Sequence, residues 1–96
     1  MTISEPPYFM KNPKWSYYDP RIEQTRLTDR ATPKAIHSFV EFNFCNPMHF
    51  GTTIEYWKEQ ARKDIEEYKL NKHRYEFEID QFGGYALSKI DGKEIH

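Results

Sequence analysis

The chain has 96 residues, a net charge of −1, and 30% charged side chains. Its length holds one domain at most. Its near-neutral charge supplies no long-range field of the kind that draws a protein to nucleic acid or a lipid surface. No apolar run approaches the roughly 18 residues of a membrane span.

Aromatic residues stand out: 16 Phe, Tyr and Trp against 12 Val, Ile and Leu. Any core must therefore be built largely from rings, which are also the favoured anchors of interfaces.

Residues 1–33 read as an extended arm, because five of the six prolines lie there. Pro6-Pro7, Asn12-Pro13 and Asp19-Pro20 argue against a long helix or a central strand. Proline has no amide to donate and pushes the preceding residue out of the helical region. A disordered tail would carry few rings, yet Tyr8, Phe9, Trp15, Tyr17 and Tyr18 sit in this arm. Two readings stay open, an arm packed on its own domain and an arm that docks on a partner. On the second, those five rings are the candidate contacts, with Trp15 foremost because it has no periodic partner. The first ten residues lack the basic and apolar runs of a signal peptide. Cys45 is the single cysteine, which excludes an internal disulfide and suits a reducing, cytoplasmic compartment.

Ile22–Thr28 alternates weakly and is read as an edge strand before a turn at residues 29–33. A small α+β domain is expected over residues 34–96, its core beginning near 34. Its first segment fits two patterns. Thr32-Pro33 resembles a helix cap followed by proline at the first helical position, with Ile36, Phe39, Val40 and Phe44 on one face. The same stretch also alternates, with Ile36, Ser38, Val40, Phe42 and Phe44 on one side. The strand formers from Phe39 to Phe44 favour a strand.

Asn46-Pro47 breaks the chain, and a helix is predicted over about Thr52–Lys72. Thr52 and Glu55 have capping-box spacing. Ile54, Trp57, Ala61, Ile65 and Tyr68 form one apolar stripe, and Glu59/Lys63, Arg62/Glu66 and Lys63/Glu67 are i,i+4 pairs. Lys69, Lys72, His73 and Arg74 suit the negative end of the helix dipole. Tyr75, Phe77 and Ile79 then alternate with Glu76, Glu78 and Asp80, a half-buried strand with an acidic outer row. Gly83-Gly84 turns the chain into a strand over Tyr85–Ile90. Asp91-Gly92 signals a type I′ hairpin, which pairs Ile90 with Lys93 and Lys89 with Glu94.

The chemistry-bearing groups are few. Cys45 and His49 have metal-ligand spacing, with His37, His73 and His96 as further nitrogen donors. A closed zinc site in so small a fold wants at least two cysteines, so no metal or cofactor is expected. The same pair could form a thiol nucleophile, but no orienting group accompanies it. Gly83-Gly84 joins two strands, whereas a phosphate loop runs into a helix. The basic run with Tyr75 and Phe77 mixes charge and rings as single-strand binders do, but Glu76, Glu78 and Asp80 crowd it, which argues against nucleic acid.

The expected fold is α+β, one amphipathic helix on a small antiparallel sheet with an extended arm. The expected function is a non-enzymatic protein-binding module. It would be an accessory subunit or adaptor that docks its aromatic arm on a larger protein or a second copy. Two alternatives stand beside it. One is a small regulator or inhibitor of the phage or mobile-element type, occluding a partner through Glu76, Glu78 and Asp80. The other is a small metal- or thiol-dependent enzyme using Cys45 and His49.

Overall fold

Asp19 and Pro20 turn the chain early. The Asp19 carboxylate accepts the Arg21 amide at 3.0 Å, an Asx turn that competes with strand continuation, and Glu23 takes φ 54° to complete the reversal. The result is an antiparallel hairpin of β1 (Ser16–Asp19) and β2 (Gln24–Leu27). The computed structural model describes residues 6–81 and 83–95. Two helices pack with a mixed sheet of five strands, so the chain is α+β.

The sheet order is β2-β1-β4-β3, where β3 is Tyr75–Ile79 and β4 is Tyr85–Ile90, and β5 (Lys93–Glu94) pairs with β4. β1 runs parallel to β4 through Tyr18 and Ala86, whereas the other pairings are antiparallel. The expectation that the proline-rich segment holds no central strand therefore gives way. Pro13 and Pro20 flank β1 rather than interrupt it, so its amides remain free to bond on both sides. The core also begins well before residue 34. Phe9, in a 3-10 turn at Tyr8–Met10, is 1% exposed, and Leu27 is fully buried. Of the two readings of the aromatic segment, packing on its own domain is the one observed.

A second correction concerns residues 34–45. They form α1 (Pro33–Phe44), not a strand. Thr32 Oγ1 accepts the Ala35 amide at 3.2 Å, and Pro33 occupies the first turn, where its missing N–H costs nothing. Ala35, Phe39 and Asn43 follow at four-residue spacing and are buried. Phe39 meets Phe9 edge-on at 5.5 Å and Trp57 at 6.2 Å. Burial of that stripe overrides the strand propensity of the individual residues.

α2 spans Ile54–Asn71, close to the expected helix, but its cap lies one residue later. Thr53 Oγ1 accepts the Tyr56 amide at 3.0 Å. Thr52 is used otherwise: its hydroxyl donates to the His49 carbonyl and accepts Trp57 Nε1–H at 2.8 Å. In the predicted stripe Trp57 and Ala61 are buried, whereas Ile54 is exposed. The surface pairing also differs: Glu59 bonds Arg62 one turn on, and Glu67 leaves the helix surface for Arg26. The Asp91-Gly92 hairpin forms as read, with φ of 54° and 77°, and Lys89 stands opposite Glu94. In β3 the half-buried row ends at Phe77, because Ile79 is exposed and the ladder shifts register between Glu76 and Phe77.

One core unites Phe9, Leu27, Phe39, Val40, Trp57 and Ala61. Beside it lies a buried ion cluster. Arg26 reaches Asp64 at 3.0 Å, Asp19 at 3.3 Å and Glu67 at 2.6 Å, and Arg21 holds Asp19 at 2.8 Å. Burial by itself would raise the Asp19 pKa, but hydrogen bonds from Arg21 and Arg26 outweigh it and hold the carboxyl below its ordinary 3.8. The bond from Arg26 likewise holds Glu67 below 4.5. Three carboxylates meet two guanidinium groups, and at Asp64 burial outweighs the Arg26 contact and leaves the carboxyl above its ordinary value.

The signs follow by linkage. Asp19 and Glu67 bind protons more weakly when folded, so their stabilisation is complete above the ordinary carboxylate range. It is lost as pH falls through their depressed values. Asp64 acts oppositely: its contribution is present below its unfolded value and lost as pH rises through its raised folded value. With two groups against one, the urea midpoint should drop between about pH 5 and about pH 3, and Glu67→Gln should make that drop shallower. A midpoint flat across this window would mean that the cluster does not couple to folding.

Candidate interaction surface

The turn between the helices begins where α1 ends, at the Cys45 cap. Asn46 then caps a 3-10 turn at Pro47–His49, its side-chain oxygen accepting the Met48 amide at 2.9 Å. His49 Nδ1 lies 3.0 Å from the Asn43 carbonyl, which makes it the protonated nitrogen, and the ring packs 4.6 Å from Trp57. Gly51 takes φ 91°, a conformation that suits glycine alone, and Thr52 ties the far side to Trp57. The backbone of this turn is thus hydrogen-bonded at Cys45, Asn46, Met48, His49 and Thr52, on both sides of Phe50.

Its apolar side chains, however, face outward. Met48 is 87% exposed and Phe50 97% exposed. Phe42, Phe44, Ile54 and Tyr56 in the adjoining helices are exposed as well. Met48 also forms one wall of a cleft of about 450 Å³ whose other apolar walls are Phe9, Met10, Ile22 and Phe42. Burying a Met or Phe side chain is worth about 1.5–3 kcal/mol, and here that gain is left unused. A hydrogen-bonded turn presenting unburied rings and methionine has the make-up that a preorganised contact surface needs.

The five candidate contacts in the arm do not make one surface. Phe9 and Tyr17 are buried, at 1% and 2% exposure. Trp15 is half-buried 5.1 Å from Tyr8, which lies under the Lys34 ammonium at 4.6 Å. Tyr18 is exposed on β1. Of the alternative contacts, Glu76 and Glu78 are exposed on β3, but Asp80 belongs to the following turn, where its carboxylate accepts the Gly84 amide at 2.9 Å.

Cys45 is exposed, and no hydrogen bond joins it to His49 among the described residues. No three His, Cys, Asp or Glu residues come together to hold a metal among the described residues, and His96 lies outside them. In the basic run, Lys72 pairs with Asp29 and Arg74 with Asp91, so two of the three full charges of Lys69, Lys72 and Arg74 are already paired. Among the described residues no helix is long and apolar enough to cross a membrane.

Sequence reasoning passed over Met48 and Phe50. The available signal was their place in a segment bounded by Pro47 and Gly51, where turn residues are ordinarily polar. The chain matches no known protein family, no curated protein and no solved structure.

Proposed function

We propose that this protein is a non-enzymatic binding module, an accessory subunit or adaptor, that docks on a larger protein through the Met48–Phe50 turn and the cleft beside it. The observation that carries this reading is the near-complete exposure of Met48 and Phe50 on a backbone held by Asn46, His49 and Thr52. Interface energy concentrates in a few such side chains, and a prearranged turn spends little entropy on ordering. The aromatic N-terminal segment contributes Met10 to the cleft wall, so it supports the surface from behind.

Stoichiometric co-purification from the source cells tests this reading. The wild-type chain should retain a single protein partner, and Met48→Ser with Phe50→Ser should weaken that complex about a hundredfold or more. The far-ultraviolet spectrum and melting of the double variant should stay unchanged, since neither side chain is packed. Undiminished binding by the double variant would sink the reading. The acidic β3 row would then be tested by Glu76→Lys with Glu78→Lys.

A further inference from the structure

A second cavity, of about 260 Å³, is lined by the start of β1, the residues that follow β2, and Tyr68 of α2. Its walls are rings. Tyr17 lies 5.4 Å from Phe77 and 5.7 Å from Tyr68, and Phe77 lies 6.2 Å from Tyr85. Tyr85 is 37% exposed, so one wall is uncovered. At the rim stand Lys14 and Arg30.

Two features make the rim positive. Among the described residues no carboxylate pairs with the Lys14 or Arg30 side chain, whereas Lys72, next to this site, engages the adjacent Asp29 at 2.8 Å. Thr28 also brings the two residues that carry these cations together: its hydroxyl donates to the Lys14 backbone carbonyl and accepts the Arg30 backbone amide at 3.2 Å, and both residues line the cavity. Apolar walls with a few convergent polar groups are the usual make-up of a small-molecule site, and the volume lies just below the common range of about 300–1,000 Å³. That admits one ring or a fused pair and excludes a dinucleotide.

We propose that this pocket binds a small planar aromatic acid, its ring held against Tyr68, Phe77 and Tyr85 and its anionic group met by Lys14 and Arg30. Ring faces favour a flat π-system over an aliphatic one of equal size. A guanidinium with no acidic partner provides the charge-assisted hydrogen bonds that a carboxylate or phosphate accepts. This site is separate from the Met48–Phe50 turn and does not depend on its role.

The test is titration of the full chain with indole-3-acetate and phenyl phosphate, followed by calorimetry and by NMR of the tyrosine rings. Indole, which lacks the charge, and cyclohexaneacetate, which lacks the π-system, serve as comparators. Both comparators should bind about tenfold more weakly than indole-3-acetate, with shifts at Tyr68 and Tyr85. Arg30→Gln should weaken indole-3-acetate about tenfold and leave indole unchanged, whereas Tyr85→Ala should weaken both. Both residues are exposed, so the fold should persist, as an unchanged spectrum would verify. No shift at these rings up to the solubility limit would overturn the proposal, as would shifts confined to the Met48–Phe50 turn. Equal affinity for cyclohexaneacetate would overturn the aromatic assignment, and an Arg30→Gln variant with full affinity would overturn the anionic one.

Discussion

Arg26→Met should destabilise the fold by about 3–5 kcal/mol, a large part of the margin that holds a small domain together. The reason is what the guanidinium leaves behind. Asp19 is fully buried and Asp64 nearly so, and without Arg26 the second has no cationic partner among the described residues. A methionine of similar length restores the packed volume but none of the donors. Arg26→Lys should fall between the two, because an ammonium keeps the charge and cannot reach three carboxylates with a planar fork. Urea denaturation at neutral pH measures each variant. Adding Asp64→Asn to Arg26→Met should recover part of the loss, since it removes the stranded charge. A loss below about 1 kcal/mol for Arg26→Met would mean that water reaches the cluster and screens it.

Phe9→Ala should be of similar size, about 3–5 kcal/mol, by leaving a cavity among Phe39, Val40 and Leu27 that the helices cannot close. Tyr8→Ala, one residue earlier and only half-buried, should cost clearly less. The contrast separates a segment built into the core from an arm that rests on the surface. Equal, small losses for both would restore residues 1–33 to the status of a removable arm. Thermal or urea unfolding of the two variants decides it. Phe9 and Arg26 share no bonding partner in the structure, so the two losses should add when combined.

Local chemistry explains which elements were legible. The stripe of α2 repeats for four turns, and no competing pattern fits it. The Asp91-Gly92 turn needs only its own two residues, so its register followed directly. α1 was misread because the nine residues from Ile36 to Phe44 fit two periodicities at once. The choice between them lay in Phe9 and Trp57, which are remote in sequence. β1 was missed for a similar reason. Four residues between prolines carry no strand signal alone, and the parallel partner Ala86 lies far along the chain. The helix cap moved from Thr52 to Thr53 because the Thr52 hydroxyl bonds the Trp57 indole instead.

The candidate surfaces divide along the same line. Composition alone established a ring-rich, single-cysteine, weakly charged chain, because those properties belong to residues taken one at a time. Periodicity established α2, β3, β4 and the final hairpin, because the pattern of each is written within a few consecutive residues. Which rings are buried was decided only in three dimensions. Phe9 and Tyr17 went inward and Met48 and Phe50 outward, because exposure depends on what the rest of the chain brings alongside. The Arg26 cluster and the Lys14–Arg30 rim are also tertiary. Their charges read as ordinary surface groups until β2 packs on α2 and Thr28 draws residues 14 and 30 together.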